Sequence, residues 1–179
     1  PGMAWGRLAR SGGEINAVAT RIGRAHSGRS GVAVCGYHGW HDWYLAANIG
    51  DSSALDQHLM PGLASQGVPT ELLGTIFTFE YNNIESLKRL LQEQKNIGVI
   101  KMEVSRTHQP RDGFLEEVRS IADEYGMVLI FDECTSGFRE ALGGICLNYG
   151  VVPDMLVFGK ALGNGYAITA LLGVKKLFE

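Results

Sequence analysis

The sequence predicts a three-layer α/β/α fold with a mainly parallel sheet. The chain has 179 residues, of which 45% are apolar and 20% are charged, and this suits a single globular domain with a sizeable core. Amphipathic helical stretches alternate with short apolar runs, which is typical of this fold class. Glycine occurs 24 times, which indicates many tight turns and places where the backbone approaches a ligand. No repeat or linker divides the chain, so residues 1–179 form one predicted domain.

The first half of the chain predicts two helices and two strands. A helix over residues 13–26 begins after Ser11, a suitable cap, and has apolar side chains at helical spacing. Brief buried strands follow over residues 31–35 and 75–79. The next helix begins after the cap Asn83, with one apolar face formed by Ile84, Leu87, Leu90 and Leu91.

The second half continues the alternation. It contains a predicted helix over residues 114–125 and predicted strands over residues 99–103, 127–131, 155–158 and 167–174. Strands that are apolar on both faces and separated by helices of about three turns favour a parallel sheet covered on both sides.

The composition excludes several function classes. Lys plus Arg is 16 and Asp plus Glu is 19, a net charge of −3, so no basic excess favours a nucleic acid or an anionic membrane as partner. No apolar stretch is long enough to span a bilayer, and no secretory signal is visible. Cys35, Cys134 and Cys146 form no CxxC pair, and we interpret them as reduced thiols of a cytoplasmic protein.

Polar side chains follow four of the predicted strands. They are Tyr37 with His38, Glu103, Asp132 and Lys160. Ligands of parallel sheets bind beyond the carboxyl ends of the strands, so we expect these side chains to line one site.

Lys160 lies in a glycine-rich turn after an apolar strand. Desolvation there would lower the pKa of its amine and favour Schiff-base formation, with or without a cofactor. A surface lysine in a turn is an equally good interpretation at this point. A P-loop is a poorer one, because Ala161 stands where that motif requires Ser or Thr.

Asp132 closes the most apolar strand. A carboxylate in that position needs a cation or strong donors to offset its desolvation. A protonated pyridine nitrogen would serve, and so would a structural ion pair with Arg139.

Aromatic and histidine residues cluster over residues 37–43. Their rings could stack on a planar cofactor or pack among themselves. His38, His41 and Asp42 could alternatively bind a metal, although their spacing matches no common zinc signature.

Ser11, Gly12 and Gly13 open the first long helix. Their backbone N–H groups lie at the positive end of the helix dipole, which suits an anion such as phosphate. An ordinary capped helix start is the alternative.

In this order the segments resemble the class III aminotransferases among the fold-type I pyridoxal-phosphate enzymes, in the branch that contains glutamate-1-semialdehyde aminomutase. The resemblance runs from about Gly6 to the end of the chain. The segments that carry it are Ser11–Glu14, Gly36–Asp42, Phe131–Arg139, Pro153–Asp154 and Gly159–Gly165.

The resemblance implies that Lys160 holds pyridoxal 5′-phosphate as an internal aldimine and that Asp132 pairs with the pyridinium nitrogen. Tyr37 would stack on one face of the ring, and Cys134, at a position where the family usually has valine, would lie on the other. Glu103 matches the glutamate that ends the preceding strand, although Val104 stands where a proline usually follows.

The resemblance further implies a phosphate-binding turn at Gly12 and Gly13, aided by Ser11, and we include His38 among the cofactor-binding residues. It implies an aminotransferase or a 2,1-aminomutase that acts on a small amino acid or amino aldehyde, as a homodimer with a shared site. A non-catalytic binding or scaffold module with this fold is the alternative.

Members of that branch are more than twice as long as this chain. We therefore interpret residues 1–179 as the core of the large cofactor-binding domain, without the preceding segment and the small C-terminal domain. Leu177–Glu179 is expected to belong to a helix that is cut short at the chain end.

Overall fold

The computed structural model describes residues 2–58 and 62–177. These residues form a seven-stranded mixed sheet with helices on both faces, which confirms the predicted α/β architecture. Strands β1 to β7 span Met3–Ala9, Gly31–Cys35, Ile76–Thr78, Ile97–Glu103, Val128–Glu133, Met155–Phe158 and Thr169–Val174. Helices α1 to α4 span Gly12–Ser27, Asp42–Leu45, Ile84–Glu93 and Phe114–Glu124.

The strand order across the sheet is β1-β7-β6-β5-β4-β2-β3. Strands β2 to β6 are parallel to one another, whereas β7 is antiparallel to both β6 and β1. Glu103 at the end of β4 lies opposite Asp132 on β5. The parallel part of the sheet therefore brings the carboxyl ends of four consecutive strands, β2, β4, β5 and β6, to one edge.

The predicted helices have the predicted starts. Ser11 caps α1, and its Oγ accepts a hydrogen bond from the Glu14 amide at 3.2 Å. Asn83 caps α3, and its Oδ1 accepts from the Ser86 amide at 3.1 Å. Side-chain caps of this kind satisfy amides that have no partner within the helix.

Two elements were not predicted, the short helix α2 and the strand β1. Strand β1 is exposed along most of its length and pairs with β7 at the sheet edge, so it has no buried face to leave an alternating apolar pattern. Two predicted strands are shorter than expected, β3 and β7, and β5 continues two residues further than predicted, through Glu133. Residues Lys175–Leu177 form a 3-10 turn, and the rest of the helix expected at the chain end lies outside the described residues.

Two apolar layers cover the sheet. One layer, which we call the cleft face, lies between the sheet and α1, with α2 beside it. The other, the opposite face, lies between the sheet and helices α3 and α4. Side chains alternate along each strand, so Asp132 belongs to the cleft face and its neighbour Glu133 to the opposite face.

No helix within residues 2–58 and 62–177 combines the length and apolar character needed to cross a membrane.

Candidate active site

A cleft of about 370 Å³ lies at the carboxyl ends of β2, β4, β5 and β6, in front of the amino end of α1. All nine residues that the sequence singled out line it, namely Ser11, Gly12, Gly13, Tyr37, His38, Glu103, Asp132, Cys134 and Lys160. Lys160 and Asp132 therefore share one cavity. This is the condition for both side chains to contact one small ring.

The amino end of α1 forms one end of the cleft. In the helix cap Ser11 Oγ accepts from the Glu14 amide, so the Gly12 and Gly13 amides and the Ser11 hydroxyl proton remain as donors for an anion. Gly39, in the segment between β2 and α2, lies directly against this turn. A Cβ atom on Gly39 would be 2.7 Å from the Gly13 Cα, and the Gly39 φ of 99° also favours glycine. The turn and the Tyr37 segment thus meet backbone to backbone.

Asp132 is buried on the floor of the cleft. Its Oδ2 accepts a hydrogen bond from Asn16 Nδ2 at 2.7 Å and lies 2.8 Å from His38 Nδ1, and its Oδ1 accepts from the Cys134 amide at 3.0 Å. Burial opposes ionisation of this carboxyl, but the hydrogen bond from His38 and the other donors hold its pKa well below the usual range. Asp132 is therefore a carboxylate.

The ion pair between Asp132 and Arg139 is not observed, because Arg139 Nε donates to the Thr135 carbonyl at 2.6 Å instead. His38 is fully buried, and burial lowers the pKa of its imidazole. A neutral His38 that donates from Nδ1 orients the Asp132 carboxylate.

Lys160 follows β6 through Gly159 and has a φ of 41°, an uncommon backbone conformation for a residue with a side chain. Its Nζ donates to Thr135 Oγ1 at 2.7 Å. Of the two interpretations that the sequence left open, a desolvated amine and a surface lysine in a turn, the structure agrees with the second, since Lys160 is exposed. The chain leaves the sheet at Gly159, so the amine lies in the open part of the cleft.

Glu103 forms a polar wall beside Tyr37. Its Oε2 accepts from the Tyr37 amide at 3.0 Å and from Arg106 at 3.1 Å. Burial, reinforced by the nearby charge of Asp132, raises the pKa of Glu103 to about 7. Thr135 Oγ1 lies 3.4 Å from Glu103 Oε1 and also accepts from Lys160, so one hydroxyl connects the lysine to this carboxyl.

Tyr37 and Cys134 present the side-chain surfaces expected for a ring site. The Arg106 guanidinium lies 5.7 Å from the centroid of the Tyr37 ring, and Tyr44 packs edge-on against that ring. Burial raises the pKa of the Cys134 thiol, which keeps it neutral. A Cβ atom on Gly159 would lie 3.0 Å from the Cys134 sulfur, so this side of the cleft is tightly packed.

Sequence reasoning missed Asn16 and Thr135. Asn16 had a usable signal, since a polar side chain on the apolar face of a helix needs a buried partner. Thr135 had none, because its role depends on where the Lys160 side chain reaches. The metal site considered at His38, His41 and Asp42 is not observed, and no group of side chains in the described ranges is arranged to hold a metal ion.

The family model for class III aminotransferases matches residues 7–179. A 3-aminobutyryl-CoA aminotransferase from Cloacimonas acidaminovorans (strain Evry) is 36% identical over 96% of this chain and 39% of its own length. A glutamate-1-semialdehyde 2,1-aminomutase from Citrifermentans bemidjiense is 38% identical over 100% of this chain and 42% of its own length. The chain therefore spans only about two fifths of the length of these relatives.

Solved structures agree with this match. The crystal structure of an omega-transaminase from Sphaerobacter thermophilus covers 99% of this chain with a TM-score of 0.83 at 26% identity, and the match takes up 42% of that transaminase chain. The family match includes every residue that lines the cleft. With the fold and the cleft both in agreement, the chain belongs to the class III aminotransferase family.

Proposed function

We propose that this chain is the cofactor-binding core of an enzyme that transfers an amino group on a small amino acid or amino aldehyde, with Lys160 as the amine that joins the cofactor. Family membership indicates pyridoxal 5′-phosphate as that cofactor. The observation that carries the proposal is the placement of the Lys160 amine and the buried Asp132 carboxylate in one cleft.

The residues present fit this cofactor at three points. The amino end of α1 offers amides and a positive dipole to a phosphate. The Asp132 carboxylate, held ionised by its donors, suits a protonated ring nitrogen. Tyr37 and Cys134 both line the cleft and offer apolar surface for the two ring faces.

Pyridoxal phosphate supplies an aldehyde that takes up amines and a ring that withdraws electrons from the substrate carbon. Lys160 would hold the cofactor through its amine, and we assign proton movement at the substrate carbon to the same amine. Thr135 Oγ1, at 2.7 Å from the amine, gives it a fixed resting position. Glu103 holds the Tyr37 backbone through its amide, and His38 and Asn16 hold Asp132.

The relatives leave the reaction open between an aminotransferase, which releases a keto product, and an aminomutase, which returns the amine to the same carbon skeleton. The non-catalytic module considered from the sequence has no observation in its favour, because the cleft contains both the amine and the carboxylate. We propose the reaction class only at this level.

We further propose a homodimer in the cytoplasm as the working form. Trp40 in the wall of the cleft is 64% exposed, and Tyr166, shortly after Lys160, is 85% exposed. Large exposed aromatic side chains of this kind are enriched at protein interfaces. Sedimentation of the full-length protein tests the dimer directly.

The test of the proposed reaction is a titration of the full-length protein with pyridoxal phosphate. We expect a new absorption band in the near-ultraviolet to visible range, and borohydride reduction should fix the label on Lys160. Lys160→Ala should abolish the band, whereas Lys88→Ala, an exposed lysine paired with Glu85, should leave it unchanged. A band that persists in Lys160→Ala, or a wild type that never develops one, would contradict the proposal.

A further inference from the structure

A lysine is buried in the middle of the sheet, below the floor of the cleft. Lys101 lies on β4, between Val34 on β2 and Ile130 on β5, and its residue is 0% exposed. Lysine is among the residues least often buried without a partner, because its ammonium is strongly hydrated in water. Within the described ranges Lys101 Nζ has no hydrogen-bond partner, and its nearest ring is that of Trp43, with the centroid at 5.9 Å.

The charged and titratable groups around Lys101 are few. The buried face of α1 contributes none, since its buried residues are Ile15, Asn16, Ala19, Thr20 and Gly23. The segment after β2 contributes His38, and α2 contributes only the uncharged ring of Trp43. The elements after Lys101 contribute Glu103, which is paired with Arg106, and Asp132 with Cys134. Lys101 and Asp132 lie on the adjacent strands β4 and β5, two register positions apart on the same face of the sheet, with no hydrogen bond from Lys101 Nζ to the carboxyl. Asp132 is the carboxylate whose charge favours a protonated Lys101.

Burial and the charge of Asp132 act in opposite directions on Lys101, and together they bring the pKa of its amine close to neutral pH. Burial lowers the pKa of Lys101 to about 8, and the charge of Asp132 opposes that lowering. Near neutral pH the amine keeps its proton chiefly because the Asp132 charge is available to it. A second cation bound at Asp132 would compete for that charge and favour loss of the Lys101 proton.

We propose that Lys101 is the counter-cation of Asp132, a positioning residue that neutralises the carboxylate before the cofactor binds and gives up its proton when a protonated ring nitrogen binds there. The inference rests on the proposed function. The step balances simply, since the Lys101 ammonium becomes a neutral amine, one proton passes to solvent, and the ring nitrogen arrives with its own proton. Cofactor binding is then linked to proton release from a residue that does not line the cleft.

The test uses 4′-deoxypyridoxine 5′-phosphate, which has the ring and the phosphate but no aldehyde, so that Lys160 chemistry does not contribute. Calorimetric titration of the full-length, cofactor-free protein in two buffers of different ionisation enthalpy counts the protons released. At pH 7 we expect the wild type to release up to one proton more than Lys101→Met. The Met variant should also bind about tenfold more tightly, because a group with a pKa of about 8 must first lose its proton in the wild type.

Two further measurements separate this role from a purely structural one. The affinities of the wild type and Lys101→Met should converge as the pH rises above about 8, where the Lys101 proton is already lost. Lys101→Arg, which keeps its charge at all these pH values, should bind more weakly than the wild type and release fewer protons. A structural role alone would weaken both variants and leave the proton count unchanged.

The outcomes are distinguishable. Equal proton release and equal affinity in the wild type and Lys101→Met would overturn the role of Lys101. If the Met variant does not fold, the Arg variant decides instead, and proton release equal to that of the wild type would overturn the role. Failure of the wild type to bind the analogue overturns the proposed function itself. Lys88→Met is the matched control, because it makes the same substitution at a lysine whose side chain is 46% exposed. It should bind the analogue and release protons as the wild type does.

Discussion

Asp132 and Glu133 are adjacent carboxylates at the end of β5, both buried, on opposite faces of the sheet. Glu133 accepts hydrogen bonds from Ser136 Oγ at 2.9 Å and from the Ile145 and Cys146 amides at 2.8 and 3.0 Å. All these partners lie within the thirteen residues that follow Glu133 in the sequence, so its side chain stabilises a single loop. The side-chain partners of Asp132, Asn16 and His38, are 116 and 94 residues away in sequence, so that carboxylate joins separate elements into a cleft.

The surroundings of the two carboxylates differ as well. Most of the buried side-chain atoms without a hydrogen-bond partner in residues 2–58 and 62–177 lie on the cleft face, on Asn16, Thr20, His38, Trp43 and Lys101. Each such atom costs stability, of the order of 1–3 kcal/mol. On the opposite face more of the buried polar side-chain atoms have hydrogen-bond partners. We expect this difference between a face that binds a ligand and a face that stabilises the fold.

The largest expected effect comes from exchanging each carboxylate for its amide. Asp132→Asn keeps the size of the side chain but removes the charge, and we expect amino-transfer turnover to fall by about a thousandfold with the fold retained. Glu133→Gln should instead leave one buried donor without its acceptor and lower the free energy of unfolding by about 2 kcal/mol. Its loss of turnover should be far smaller. Turnover with one amino donor and urea unfolding, measured on both variants, check this. Equal losses of turnover would break the comparison.

A third buried carboxyl, Glu103, extends the comparison to pH. Its folded-state pKa of about 7 lies above the ordinary value of 4.5, so the unfolded chain loses the proton first as the pH rises. Stability should therefore fall between about pH 4.5 and 7 and stay level above that range, by up to roughly 3 kcal/mol from this group.

Glu103→Gln should remove this contribution and leave stability less dependent on pH in the same window. Urea unfolding at several pH values measures it. An unchanged pH profile in the variant would show that Glu103 titrates normally in the folded protein.

The smallest effects distinguish the helices of the two faces. Ser11→Ala removes the cap of α1 on the cleft face, and Asn83→Ala removes the cap of α3 on the opposite face, and each should cost about 1 kcal/mol. Only Ser11→Ala should also weaken binding of pyridoxal phosphate, since Ser11 lines the cleft. Fluorescence titration of both variants checks this, and equal cofactor affinities would show that the Ser11 side chain does not support phosphate binding.

The sequence was sufficient to predict the cleft residues that lie at the ends of parallel strands. Lys160, Asp132 and Glu103 follow apolar strands, and parallel strands deliver their ends to one edge. It was insufficient for the contacts between elements. The hydrogen bond of Asn16 to Asp132 depends on the rotation of α1 over the sheet. The position of Lys101, two register positions from Asp132, depends on the register of β4 against β5. Neither quantity is encoded in the spacing of apolar residues along one element.

The backbone contact between Gly13 and Gly39 ties the two loops of the cleft together. With no side chain between them, neither loop can shift far without displacing the other, so they lose their freedom in one event. We therefore expect an anion that binds at the amino end of α1 to restrict the Tyr37 segment as well, so that part of the ordering entropy of that segment is lost before the rest of the ligand binds.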